Sequence, residues 1–180
     1  KKLLLIDRDG TINVRPKVGH YVATPEQLFV KEDAIRGMKS LAEAGYEFLV
    51  VTNQAGIATG EISATNLRLI HERLRSELLQ HGIQVRHIYC STDHWKSTDS
   101  PRRKPNPGMF FEASREHNLR LDATYYIGDD PRDMIAAYNA ATPGVYVGDP
   151  EALEKLPPRY RPQFVGTNLE EVASFILDRQ

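Results

Sequence analysis

A single cysteine, Cys90, occurs in 180 residues, which excludes an intrachain disulfide framework and makes a reducing compartment, the cytoplasm, the expected setting. No apolar run approaches the roughly 20 residues that cross a bilayer, so no membrane partner is expected. The short apolar run at residues 3–6 ends at once in charge and does not read as a secretory leader. Neither sign of charge dominates. The 23 Lys and Arg are set against 24 Asp and Glu, a formal net charge of −1, which gives no global electrostatic case for nucleic acid. Internal repeats and low-complexity tracts are also missing, and a monomer is the expected state. There is no initiating Met, and the chain starts almost on its first apolar run, as a processed, trimmed or excised domain would.

What is present is an alternation of strand-like and helix-like segments, the pattern of an α/β domain with a mostly parallel, Rossmann-like sheet flanked by helices. Strands are expected at residues 3–6, 46–52, 85–90, 124–127, 145–147 and 163–165. A helix over 33–44 carries Ile35, Met38, Leu41 and Ala42 and stops at Gly45. Ser63 caps a long helix with Leu67, Ile70, Leu74 and Leu78 on one face, ending at Gly82. Asn106 with Pro107, and Asp130 with Pro131, repeat a cap-then-proline signal for two more helices, and Asn168 caps the last. Residues 91–103 read as a loop. The whole chain, 1–180, fits one domain, and no insertion is long enough for a separate cap domain.

Four polar clusters fall at expected strand ends, where open α/β sheets bind ligands. The first is Asp7-Arg8-Asp9-Gly10-Thr11. A carboxylate such as Asp7 can attack phosphorus, and a second one two residues on can protonate the leaving oxygen and later deprotonate water. Gly10 lets the backbone turn where a side chain would obstruct. The same residues would also make an ordinary strand-end turn. The second cluster, Val51-Thr52-Asn53-Gln54, offers a neutral hydroxyl donor on a rigid element, or a plain Thr-Asn turn. In the third, Arg102-Arg103-Lys104-Pro105-Asn106-Pro107, Lys104 supplies a point charge and Arg103 a planar fork for phosphate, unless the stretch is only a solvated basic loop. In the fourth, Gly128-Asp129-Asp130-Pro131-Arg132-Asp133, Asp130 is accounted for as the helix cap and Asp133 as a favourable third helical position. Asp129 has no such structural role, which makes it the metal-ligand candidate, with Mg²⁺ the fitting ion.

Taken in order, DRDGT, VTN, the lysine of RKPNPGM and GDDPRD resemble the motifs of the haloacid dehalogenase superfamily across essentially the whole chain. The resemblance implies a phosphatase in which Asp7 is the nucleophile and Asp9 the general acid/base, with Thr52 and Lys104 holding the phosphoryl group. It implies Mg²⁺ held by Asp7, the backbone carbonyl of Asp9, and Asp129. The stretches DRDGTINV, GHYV, VVTNQAGIATG, RKPNPGM and YIGDDPRDMIAA look most like the histidinol-phosphatase and D-glycero-D-manno-heptose 1,7-bisphosphate phosphatase group, closer to the latter through Tyr21 and Val22. On that resemblance Asn53, Gln54, Arg103 and the 19–22 segment with Tyr21 line the site, and the substrate is a small phosphorylated sugar or metabolite.

Two features depart from that group. Many of its members carry a zinc loop, but here Ser100, Pro101 and Arg102 stand where a Cys-x-Cys pair would fall. Cys90 and His94 do not supply the four ligands a structural zinc needs, so none is expected. Asp130 stands where the heptose pattern has a basic residue. Histidinol phosphate, a nucleic-acid end, and a non-catalytic sugar-phosphate-binding role are the competing readings. The intact pair Asp7 and Asp9 disfavours the last, and the near-neutral charge disfavours a polymer substrate.

Overall fold

The computed structural model describes residues 2–97 and 99–180. Its centre is a six-stranded sheet formed by β1 (Lys2–Ile6), β2 (Tyr46–Asn53), β3 (Val85–Ser91), β4 (Tyr126–Gly128), β5 (Gly144–Val147) and β6 (Phe164–Gly166). The strand order is β3-β2-β1-β4-β5-β6, and every pairing is parallel. The order reverses at β1, which pairs with β2 on one side and β4 on the other. That topological switch point is where ligands lodge in such sheets.

The strands are apolar on both faces because both faces are covered. Alternation along β1 sends Leu4 and Ile6 into one core and Leu3 and Leu5 into the other. The first core receives Met38 and Leu41 from α1 (Glu32–Glu43), Ile70, Leu74 and Leu78 from α3 (Ala64–Leu79), and Leu169, Val172 and Ile176 from α6 (Leu169–Leu177). The second receives Met109, Phe110 and Ala113 from α4 (Gly108–His117), and Ala136 and Ala137 from α5 (Pro131–Asn139). One short helix that the sequence pattern does not reveal, α2 (Gly56–Thr59), follows β2. No helix among the described residues is long and apolar enough to cross a membrane.

Helix starts follow side-chain chemistry at three expected positions. Ser63 accepts from the Asn66 amide at 3.0 Å, Asn168 from the Glu171 amide at 2.9 Å, and Asp130 from the Arg132 amide at 2.9 Å. The fourth expectation is corrected. Asn106 does not cap α4; Pro107 takes that place without a side-chain cap bond. The Gly108 amide is drawn back to the Pro101 carbonyl at 2.8 Å, and the Asn106 side-chain amide nitrogen donates to the Ser100 carbonyl at 2.7 Å. Asn106 therefore ties up the preceding loop instead of the helix.

Candidate active site

Asp7 follows the last residue of β1, with its own amide bonded to the Ile127 carbonyl at 2.9 Å. The chain then turns at Gly10, whose φ of +87° is a left-handed conformation. A Cβ at Gly10 would lie 2.0 Å from Asp129 Oδ2. Glycine is therefore required twice over, for its backbone and for the approach of β1's loop to β4's.

Lys104 enters from the long loop before α4 and is buried beneath Asp7. Its ammonium lies 2.9 Å from Asp7 Oδ1, 2.9 Å from the Val51 carbonyl, 2.7 Å from the Tyr126 hydroxyl and 3.0 Å from Asp133 Oδ1. Asn53 fastens this loop to β2: its side-chain amide nitrogen donates to the Lys104 carbonyl at 3.0 Å, and its oxygen accepts from the Lys104 amide at 3.0 Å. The Lys104–Pro105 peptide is cis. Burial alone would lower Lys104, but Asp133 and Asp7 outweigh it and hold the ammonium above its usual range.

The acids divide into two environments. Asp7, Asp129 and Asp133 each bring a carboxylate oxygen within 4.8 Å of the others. Burial raises Asp7 well above the ordinary carboxylate range, and repulsion from Asp133 adds to it, against the pull of Lys104. Asp129 is raised by the same two causes, with Arg15 opposing at 2.6 Å. Asp9 behaves oppositely. Burial would raise it, but Arg8 and hydrogen bonds from Asn13 and Gln54 outweigh burial and hold it below the usual range. The surroundings thus push Asp7 up and Asp9 down, the reverse of an ionised nucleophile beside a protonated acid, and a divalent cation at Asp7 would offset the first of these shifts.

The donor set fits a hard divalent cation. It is all oxygen, as Mg²⁺ prefers, and its crowding raises two carboxylates that a positive ion would return to the charged form. Asp133 is the most engaged of the three. Its Oδ1 accepts from Lys104 and from the Tyr126 hydroxyl at 2.7 Å, and its Oδ2 from the Asp130 amide at 3.3 Å. Asp129 is engaged at both oxygens as well, Oδ1 accepting from the Thr11 hydroxyl at 3.1 Å and Oδ2 from Arg15 at 2.6 Å, while Asp133 sets Lys104.

A cavity of about 490 Å³ opens over Asp7, Asp9, Thr52, Asn53, Lys104 and Asp133. Its upper wall is residues 15–21, including Tyr21, together with Trp95, Arg103, Asp130 and Arg132. Asp130 thus caps α5 and also faces the cavity, where Arg15 lies 3.5 Å and Arg132 3.1 Å from it. Arg103 makes a long bond to the Asp93 carbonyl at 3.5 Å. Burial and the nearby Arg132 lower it from the usual guanidinium range. Gln54, expected to line the site, is fully buried behind it, donating to Asp9 Oδ2 and to Thr52 Oγ1, each at 3.0 Å. Sequence reasoning misses three residues here. It gives Asp133 only a dipole role, although side chains in a first helical turn lean back toward the preceding strand end. Arg8 draws no notice between two acids. Trp95 carries no signal beyond being an aromatic in a polar loop.

A HAD-hydrolase-like family model matches residues 101–172. The chain is 34% identical over 137 residues to D-glycero-beta-D-manno-heptose-1,7-bisphosphate 7-phosphatase of Pseudomonas putida, covering 76% of each protein. It is 32% identical over 149 residues to the histidine biosynthesis bifunctional protein HisB of Campylobacter jejuni, covering 83% of this chain but 42% of HisB. The chain thus spans less than half the length of that relative. The crystal structure of D,D-heptose 1,7-bisphosphate phosphatase from B. bronchiseptica, complexed with magnesium and phosphate, superposes with a TM-score of 0.88 at 28% identity over the full length of both chains. This chain belongs to the HAD superfamily, in the group related to HisB and the D,D-heptose 1,7-bisphosphate phosphatases.

Proposed function

We propose that the protein is a Mg²⁺-dependent phosphomonoester hydrolase acting on a small sugar phosphate, best matched by D-glycero-D-manno-heptose 1,7-bisphosphate with removal of the 7-phosphate. The observation that carries this reading is the contact of Asp7 Oδ1 with the buried Lys104 ammonium at 2.9 Å, on the floor of an open cavity. Asp7 attacks phosphorus, the bond to the leaving sugar oxygen breaks, and an aspartyl-phosphate forms. Asp9 gives a proton to that oxygen and then takes one from the water that hydrolyses the intermediate. Lys104 and Thr52 hold the phosphoryl oxygens, offsetting charge that would otherwise repel Asp7. Asp7, Asp129 and the Asp9 backbone carbonyl would hold the cation, which would supply further positive charge against the phosphoryl group. Asn53, Arg103 and Tyr21 meet the sugar and its second phosphate at the mouth, whereas Gln54 acts from behind by ordering Asp9 and Thr52.

A second reading, hydrolysis of histidinol phosphate, is supported by the similarity to HisB. One steady-state experiment separates the two. Turnover of both anomers of heptose 1,7-bisphosphate, histidinol phosphate and simple sugar monophosphates is measured with Mg²⁺, beside Asp7→Asn. A heptose bisphosphate is expected to give kcat/KM of at least about 10⁴ M⁻¹s⁻¹, with Asp7→Asn inactive. Preference for histidinol phosphate would install the second reading, and phosphate release by Asp7→Asn would overturn the covalent route.

A further inference from the structure

Arg8 is the largest side chain with no exposure, at 0%. A guanidinium removed from water needs acceptors for its N–H groups, because each unmet donor is costly. Two of its donors converge on one atom: Nε and Nη2 donate to Asp9 Oδ1 at 3.1 and 2.8 Å. Nη1 lies 3.0 Å from His71 Nε2. A guanidinium can only donate, so Nε2 is the acceptor and the ring proton sits on Nδ1. Burial and the charge of Arg8 push His71 down to about 3, so the imidazole keeps its acceptor at any ordinary working pH.

This grip distinguishes the two oxygens of Asp9. Oδ1 also takes the Asn13 side-chain amide nitrogen at 2.9 Å, so three N–H groups converge on it. Oδ2 accepts from Gln54 Nε2 alone among the described residues, at 3.0 Å. A carboxylate oxygen has two lone-pair sites. Oδ1 is oversubscribed, and Oδ2 is the oxygen with room for a proton.

We infer that His71 is a positioning residue for proton transfer. By accepting from Arg8 it sets the guanidinium plane that clamps Asp9 Oδ1 and leaves Oδ2 as the atom that exchanges the proton. The inference rests on the proposed role of Asp9 as general acid/base. In the first half-reaction the Asp7–phosphorus bond forms as the bond from phosphorus to the sugar oxygen breaks, and the proton on Oδ2 passes to that oxygen. In the second, water adds to phosphorus, its proton returns to Oδ2, and the Asp7–phosphorus bond breaks. His71 lies midway along α3, whose Ile70 and Leu74 are wholly buried. The imidazole therefore approaches Arg8 from a rigid element, as precise positioning requires.

The test exploits leaving-group basicity. A sugar alkoxide needs the proton as it departs, whereas a nitrophenolate scarcely does. Wild type, His71→Leu, His71→Gln and Asp9→Asn are each assayed on a sugar monophosphate and on 4-nitrophenyl phosphate, with thermal melts confirming folding. His71→Leu is expected to lose roughly tenfold or more in kcat/KM on the sugar phosphate and at most about threefold on the aryl ester. His71→Gln, whose amide oxygen can accept from Arg8, should recover most of the loss. An equal loss on both substrates in His71→Leu, or a Gln variant no better than Leu, overturns the positioning role. Asp9→Asn keeps the two levels apart. If it too loses both substrates equally, the acid/base reading of Asp9 fails and takes the inference with it. If it is selective while His71→Leu is not, only the inference falls.

Discussion

Asp133 Oδ1 accepts from Lys104 Nζ at 3.0 Å, and both side chains are buried, at 5% and 7% exposure. The same oxygen takes the Tyr126 hydroxyl at 2.7 Å. Asp133 therefore helps set where the ammonium points, and without it Lys104 keeps Asp7 as its ionic partner at 2.9 Å while the buried Tyr126 hydroxyl loses its acceptor.

Asp133→Ala is expected to destabilise the fold by about 1–3 kcal/mol, because Lys104 keeps Asp7 but the buried Tyr126 hydroxyl is left without its acceptor. Asp133→Asn retains shape and one acceptor and should fold, yet lose roughly 10- to 100-fold in kcat, as removal of an orienting partner typically does. Urea denaturation and steady-state kinetics read the two effects separately.

Gly10→Ala combines a left-handed φ of +87° with a Cβ placed 2.0 Å from Asp129 Oδ2. The conformation alone costs about 1–2 kcal/mol, and the clash must move the Asp129 carboxylate. The expected result is a lowered Tm together with a higher Mg²⁺ concentration for half-maximal activity. A variant with the wild-type Mg²⁺ requirement would show that Asp129 is not a ligand.

His71 should make the protein sensitive to mild acid. Its pKa falls from the usual 6.5 to about 3 in the fold, so between those values the unfolded chain binds the extra proton and the native state does not. Stability therefore rises with pH across this window and declines steadily as pH falls below about 6.5. In thermal melts at pH 4 to 7, His71→Gln should show a shallower decline than wild type. Parallel curves would mean that the imidazole is not held neutral.

Asp130 performs two tasks that substitution can separate. It caps α5, and its carboxylate lies 3.1 Å from Arg132 and 3.5 Å from Arg15 at the cavity wall. Asp130→Ser keeps a capping oxygen and should leave Tm nearly unchanged, whereas Asp130→Ala should cost about 1 kcal/mol. Both remove a negative charge facing the cavity. KM for a doubly phosphorylated substrate should then fall by about 0.5–1 kcal/mol, or roughly two- to fivefold, relative to a monophosphate.

These residues also show how far the sequence can be read. The Asp130-Pro131 pair announces a helix start because its chemistry is local, and Ser63 and Asn168 declare themselves the same way. The two-sided burial of residues 3–6 is likewise legible, since an unbroken apolar run that short suits a strand covered on both faces. Asn106 misleads because its competing partner, the Ser100 carbonyl, belongs to a loop without periodicity. Asp133 and Arg8 lie beyond local reasoning altogether. The first acquires its meaning only when Ile6 pairs with Ile127 and brings β4's end beside Asp7. The second depends on His71, 63 residues away on a helix whose rotation no spacing rule fixes closely enough. Gln54 is legible as a strand-end residue, but which way it turns depends on Asp9 and Thr52 being there to receive it.

The position of β1 between β2 and β4 has a consequence for biosynthesis of the protein. Asp7 is made first, but both Lys104 and Asp129 arrive only after the ribosome has passed the middle of the chain. Until the loop before α4 fastens to β2 and β4 docks on β1, the acids that follow β1 have no ammonium beside them and no second wall. Catalytic competence is thus a late event in folding, set by contacts between segments far apart in sequence, which form slowly. Recovery of turnover after dilution from denaturant should lag behind recovery of helical signal, making activity a reporter of the joining of β4 and the Lys104 loop to the centre of the sheet.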